Sequence, residues 1–258
     1  MLPVLMYHGL HGGSDAHGRY DPVYSVRPDD FARQMDWLLA SGHRTTRLAG
    51  DHGATSGSDR HPGARPVVIT FDDGDVSNIE VALPLLRERG MVAEFYITSD
   101  FVGQPGMLSA ADVRALADAG MGIGAHGRSH RFLEDMDIDT LDAELRDSRA
   151  RLSEITGRRV DSLALPGGRG GERERRAALA IGYRHLLGSV PGPNRSLQPD
   201  DWLQRLAVTR QTTLGEFAAL VTWRGLRPRI ARARFLALTL PKRVLGNAGY
   251  ERLRARLL

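Results

Sequence analysis

Val67-Val68-Ile69-Thr70-Phe71-Asp72-Asp73-Gly74 sets the reading of the whole chain. Three β-formers in a row predict a buried strand, and it runs directly into two adjacent carboxylates and a glycine able to turn the chain sharply. Neighbouring residues at a strand end point in different directions, so Asp72 and Asp73 can divide their roles, one on a metal and the other on protons. An Asp-Asp-Gly triplet alone more often caps a helix or makes a turn. A second polar cluster changes that balance: Gly124-Ala125-His126-Gly127-Arg128-Ser129-His130 follows another short apolar run, Met121 to Ala125. His126 and His130, four apart, can face one point on a helix or through a loop eased by Gly127. With one carboxylate they would make a metal site.

The 258 residues suit one large α/β domain with a sizeable core. Hydrophobic content of 41% and charged content of 26% are those of an ordinary soluble globule and argue against general disorder. The formal charge of +4 comes almost wholly from arginine, Lys242 being the single lysine. With no cysteine, any metal must be held by His, Asp or Glu. The opening Met1 to His8 lacks a basic region and a long apolar core, and no apolar stretch is long enough to span a membrane, so a cytoplasmic protein is expected.

Outward from the central strand, the pattern repeats strand, loop and helix. Val4 to Tyr7 reads as a first strand ending at His8. Asp29 or Asp30 would cap a helix carrying Phe31, Met35, Leu38 and Leu39, with Gly42 as its stop. Gly50 to Gly63 reads as a surface loop or insertion. Asn78 to Arg89 predicts a helix kinked near Pro84, Ala93 to Ile97 a strand, and Ser109 the cap of a helix through Ala119. Thr140 to Thr156 is a longer amphipathic helix, and Ser162 to Leu165 a strand broken by Pro166-Gly167-Gly168. A helix over Glu172 to Ala180, strands at Tyr183 to Leu187 and Leu206 to Val208, and a helix capped at Thr213 complete the series. About seven such units point to a parallel, barrel-like sheet, whose functional residues gather at the carboxyl ends of its strands. His8, Asp72, Asp73, His126, His130 and the Pro166-Gly167-Gly168 turn all fall there.

From Arg224 to Leu258 the composition changes: ten Arg and Lys residues, from Arg224 to Arg256, are countered by Glu251 alone and interleaved with apolar residues such as Phe235, Leu236 and Leu240. One or two helices packing on the barrel with a solvated basic face are expected. The sharper alternative is contact with an anionic membrane or a lipid-linked substrate. No nucleic-acid motif accompanies the charge.

These residues resemble the polysaccharide deacetylases of carbohydrate esterase family 4, the NodB-homology family. The first family motif, Thr-Phe-Asp-Asp-Gly, stands unaltered at Thr70 to Gly74; of the second, His-(Ser/Thr)-x-x-His, both histidines are present at His126 and His130, with Gly127 in the second place. The resemblance covers about Val4 to Val208. It implies a distorted (β/α) barrel, here placed over residues 1–223 ahead of the basic helical extension read from composition over 224–258, and metal-dependent removal of an N-acetyl group from an amino sugar. It further implies that Asp73, His126 and His130 hold one divalent metal ion, zinc before cobalt, nickel or iron, and that Asp72 is the general base. The third family motif implies an oxyanion donor at Pro166-Gly167-Gly168, most directly the N–H of Gly167. The arginine which that motif often brings to the base is missing from Leu163-Ala164-Leu165-Pro166; Arg169 or Arg205 can substitute from elsewhere, the alternative for both being a surface salt bridge. The Leu-x-His of the last motif is also missing, since no histidine follows His185. Met6-Tyr7-His8 is similar to the opening of the poly-N-acetylglucosamine deacetylase branch, which implies His8 as general acid. Two other readings compete: a non-haem iron oxygenase using the same two histidines and carboxylate, and a carbohydrate-binding descendant without activity.

Overall fold

The structure is a computed structural model and describes residues 1–14, 16–48, 63–199, 202–226, 228–230, 232, 233, 235 and 237. Fifteen regular elements follow the rhythm read from the sequence. Strand β1 is Val4–Tyr7, helix α1 Pro28–Ala40, β2 His43–Thr45 and β3 Arg65–Asp73. Then come α2 Leu83–Glu88, β4 Glu94–Ile97, α3 Ala110–Asp118, β5 Gly122–Ala125, α4 Ile138–Thr156 and β6 Ser162–Ala164. The last are α5 Glu172–Ile181, β7 His185–Leu187, β8 Trp202–Leu203, β9 Leu206–Ala207 and α6 Leu214–Thr222.

All strand pairs are parallel, in the order β8-β7-β6-β5-β4-β3-β1-β9, with β2 beside the start of β3. The edge strands β8 and β9 are consecutive in the chain, joined by Gln204 and Arg205 alone. The two edges of the sheet must therefore meet, and the sheet curls into a distorted (β/α) barrel with a seam that carries no β8–β9 pairing. Two layers of apolar residues follow from this shape. The larger lies between the sheet and its helices, with Phe31, Phe71, Phe95, Leu116, Leu145 and Phe217 among its members. The smaller fills the barrel: Val4, Leu48, Val68, Tyr96, Ala164, Leu187 and Leu203. In β5 the inward positions are glycines, because a Cβ would stand 1.9 Å from Glu94 Oε2 at Gly122 and 2.4 Å from Tyr96 Cε1 at Gly124.

Several boundaries differ from the sequence reading. Helix α1 begins a turn earlier than an Asp29 or Asp30 cap would give, with Arg27 at the cap position and Pro28 in the first turn, where its missing N–H costs nothing. The kink expected near Pro84 is a wide helical turn over Asn78–Ala82 that leads into α2. Strands β2 and β8 were not expected; at three and two residues they are too short for any alternation to show. Residues 50–62 of the loop read over Gly50 to Gly63, and residues 238–258 of the basic extension read over 224–258, lie outside the described residues. No described helix is long and apolar enough to cross a membrane.

Candidate active site

The carboxyl ends of β1, β3 and β5 and the turn after β6 surround one cleft of about 490 Å³, whose walls include His8, Asp72, Asp73, His126, His130, Gly167 and Arg169. Asp72 and Asp73 are the last two residues of β3, and alternation sends them apart: Asp72 is 2% exposed and turns into the barrel, while Asp73 stands at the cleft. Asp73 has a positive φ of 75°, a left-handed conformation that aspartate tolerates better than most residues. The chain turns on at Gly74, φ 90°.

His126 and His130 reach the same point through a loop and not a helix, with left-handed backbone at Gly127 and His130. Asp73 Oδ1 lies 3.4 Å from His126 Nε2 and 3.1 Å from His130 Nε2. One ligating atom from each of the three residues lies within 4.8 Å of the other two. Asp73 Oδ1 is buried, with the two imidazoles as its close neighbours and no further hydrogen-bond partner among the described residues. His126 Nδ1 sits 2.9 Å from the Ala164 carbonyl oxygen. A carbonyl can only accept, so Nδ1 carries a proton, which leaves Nε2 as the ring nitrogen that faces Asp73. Burial pushes the Asp73 carboxyl up, but the neighbouring imidazoles outweigh it and hold the group well below the usual carboxylate range. Two imidazole nitrogens and a carboxylate oxygen, one of them orphaned, fit a divalent cation.

Asp72 is held by a different partner. Arg205 Nη1 donates to Asp72 Oδ1 at 2.6 Å and Nη2 to Oδ2 at 2.8 Å, a bidentate fork. Its Nη1 also reaches Thr70 Oγ1 at 3.3 Å, and its Nε donates to the Gly188 carbonyl at 2.8 Å. Arg205 is 1% exposed and stands at the barrel seam between β8 and β9. Burial raises the Asp72 carboxyl, and Arg205, together with His126 and His8, more than compensates, so the group lies below its ordinary value. Arg169 is elsewhere: its guanidinium stacks 4.0 Å over the Phe132 ring and lies 3.7 Å from Glu134. Of the two arginines proposed for the base, the structure brings only Arg205 to Asp72.

His8 lines the same cleft, its ring 4.6 Å from that of Tyr24 and its Nδ1 buried without a hydrogen-bond partner. Burial lowers its basicity, more than Asp72 and Asp73 raise it. The Pro166–Gly168 turn packs over Phe132: a Cβ on Gly167, φ 62°, would stand 2.6 Å from Phe132 Cε1. Gly168 N–H is spent on the Leu165 carbonyl at 2.7 Å, which singles out Gly167 as the candidate donor at this turn. Tyr24, Phe132, Ser189 and Phe235 also line the cleft, and no motif in the sequence marks them.

The model of the family described as polysaccharide deacetylase matches residues 59–186, which hold both motifs. Two Bacillus proteins named "putative polysaccharide deacetylase" are similar to the chain over most of its length. YxkH of Bacillus subtilis (strain 168) is 26% identical over 220 residues, 85% of this chain and 76% of the relative. BA0330 of Bacillus anthracis, a solved structure, is 26% identical and superposes with a TM-score of 0.73 over 85% of this chain and 68% of that one. The chain is similar to polysaccharide deacetylases both in sequence and in fold. A further polysaccharide deacetylase, BC0361 of Bacillus cereus, superposes with a TM-score of 0.72 at 25% identity, over 85% of this chain and 68% of that one. These similarities relate the chain to proteins named as polysaccharide deacetylases, which share the distorted barrel described above.

Proposed function

We propose that the chain is a divalent-metal-dependent hydrolase that removes the N-acetyl group from an amino sugar of a polysaccharide, oligosaccharide or smaller glycoconjugate. The observation that supports this best is the convergence of Asp73, His126 and His130 beside a second carboxylate, Asp72, that is clamped by Arg205. Asp73, His126 and His130 would hold the cation, zinc in the first instance, with cobalt, nickel or iron as alternatives. Such a cation polarises an amide carbonyl and makes water more acidic. Asp72 takes the proton of the attacking water. Its pairing with Arg205 keeps it ionised and fixes the direction of its lone pairs. The Gly167 N–H faces the oxygen on which negative charge develops. His8 delivers a proton to the departing amine as the C–N bond breaks, giving acetate and a free amino sugar. Because burial leaves His8 less basic than a solvated imidazole, it rests neutral, and the proton it delivers is the one that Asp72 removes from the attacking water.

Residues 1–223 are read as the catalytic barrel and 224–258 as a basic extension. Two features of the extension's described part support a role at an anionic membrane or with a lipid-linked substrate: Leu226 and Ile230 are exposed one helical turn apart, and Arg224 and Arg229 are exposed beside them. Arg232 donates to the Pro191 carbonyl, and Phe235 lines the cleft. A cytoplasmic setting fits a biosynthetic precursor better than a finished wall polymer.

The deciding experiment is an acetate-release screen over N-acetylated sugars with zinc-reconstituted protein, run beside Asp72→Asn and His8→Ala. Asp72→Asn should lose roughly 10²- to 10⁴-fold in kcat while keeping its zinc, and His8→Ala should slow amine release. Full activity in both variants would overturn the assigned roles. Anaerobic turnover with zinc excludes an oxygenase, and sugar binding without acetate release by zinc-loaded protein would favour a binding module.

A further inference from the structure

The loop that carries both histidines is held in a shape its backbone does not favour. Gly127 and His130 both have left-handed backbone, φ 74° and 64°, and His130 has a side chain that makes this conformation uncommon. The contacts that hold it come from outside the loop. Glu144 of α4, 2% exposed, turns its carboxylate under Arg128 and Ser129. Its Oε1 accepts from the Arg128 N–H at 2.8 Å, the Ser129 N–H at 2.6 Å and Ser129 Oγ at 2.9 Å. From the same helix, one turn on, Ser148 Oγ donates to the Gly127 carbonyl at 2.9 Å, and from the turn after β4 the Asp100 N–H donates to the Arg128 carbonyl at 2.9 Å. A Cβ on Gly127 would stand 3.1 Å from Glu144 Oε1. The carboxylate thus lies against the one place where this chain departs from the second motif, with glycine instead of Ser or Thr.

We propose that Glu144 is the positioning residue of the metal centre: by gathering the amides of Arg128 and Ser129 onto one carboxylate oxygen, it sets the separation at which His126 and His130 face Asp73. The inference rests on the reading of those three residues as metal ligands. It extends that reading to a side chain outside both motifs that touches neither substrate nor cation. A carboxylate in this position does for the loop what outer partners do for metal-bound histidines generally, fixing ring orientation before the cation arrives.

The test measures zinc affinity by chelator competition in wild type, Glu144→Gln and Glu144→Ala, together with the visible spectrum of the cobalt-substituted proteins and the melting temperature of the metal-free ones. Glu144→Ala should weaken zinc binding by roughly 10- to 100-fold and alter the cobalt bands, which report ligand geometry. Glu144→Gln, whose amide oxygen still accepts, should lie between it and wild type. A merely structural role would lower the metal-free melting temperature and leave affinity and spectrum alone, and that result would overturn the proposal. Should Glu144→Ala fail to fold, Glu144→Gln decides: an unchanged affinity counts against the proposal, a weakened one for it. Wild-type protein that takes up no zinc overturns the metal-site reading and this inference together, whereas zinc-binding wild type with indifferent variants overturns this inference alone.

Discussion

Replacing Arg205 by methionine removes the guanidinium that hydrogen-bonds both oxygens of Asp72 and leaves a carboxylate, 2% exposed, inside the barrel with His126 Nε2 3.9 Å away. Breaking a buried pair from one side costs about 3–5 kcal/mol, because the charge left behind is neither solvated nor paired. Here the Gly188 carbonyl and Thr70 Oγ1 lose a donor as well, which places the expected loss at the upper end of that range. A domain's whole stability is about 5–15 kcal/mol, so Arg205→Met should be folded at room temperature but strongly sensitised to urea. The assay is urea unfolding of metal-free protein at pH 7, as a double-mutant cycle with Asp72→Asn. The two substitutions should couple by about 2 kcal/mol, since each alone leaves the other partner buried and unsatisfied. Arg205→Lys keeps the charge but not the two-pronged geometry, so it should recover part of the stability and little of kcat. An Arg205→Met loss below about 1 kcal/mol, with strictly additive effects, would refute the claim that this pair organises the base.

Glu94 offers a pH-dependent test at the opposite end of the barrel: burial, more than the opposing Leu48 N–H, raises its carboxyl from 4.5 to about 7. The native state thus holds a proton that the unfolded chain has shed, so this contribution to stability is complete below pH 4.5 and is lost as pH rises through about 7. Glu94→Gln should match wild type near pH 4.5 and exceed it above pH 7 by up to about 3 kcal/mol in urea melts, and parallel pH curves would contradict this. Zinc at a hundred times its Kd should stabilise wild type by about 2.7 kcal/mol, seen as a rise in Tm that His130→Ala or Asp73→Ala abolishes. Gly167→Ala places a Cβ 2.6 Å from Phe132 Cε1 on left-handed backbone, so it should lose about 1 kcal/mol or more and lower kcat; wild-type stability and turnover would remove the turn from the mechanism.

How much of this was legible before folding is best judged residue by residue. Thr70 to Gly74 and the His126/His130 pair could be named from the chain because a metal site needs particular donor types at fixed local spacing, and each cluster is contiguous. The strand and helix rhythm was legible for the same reason: burial on one face imposes a local period, as in α3, where Ser109 and Asp112 form the expected capping box. Arg205 and Arg169 were indistinguishable as partners of Asp72, since the answer depends on the seam between β8 and β9, made by strands of two residues each. Glu144, 14 residues beyond His130 on a helix face, gave no signal at all; a helical glutamate reads as surface until the helix is packed.

The sequence by itself determined which chemistry the chain could carry and the parallel βα plan that brings donor groups to strand ends, because both are written in residue type and short-range period. The tertiary structure alone decided which arginine faces the base, that the histidines meet through a loop, and which carboxylate braces that loop. Those are pairings between residues as far apart as Asp72 and Arg205, and no local pattern encodes a contact that exists only once the sheet has curled on itself.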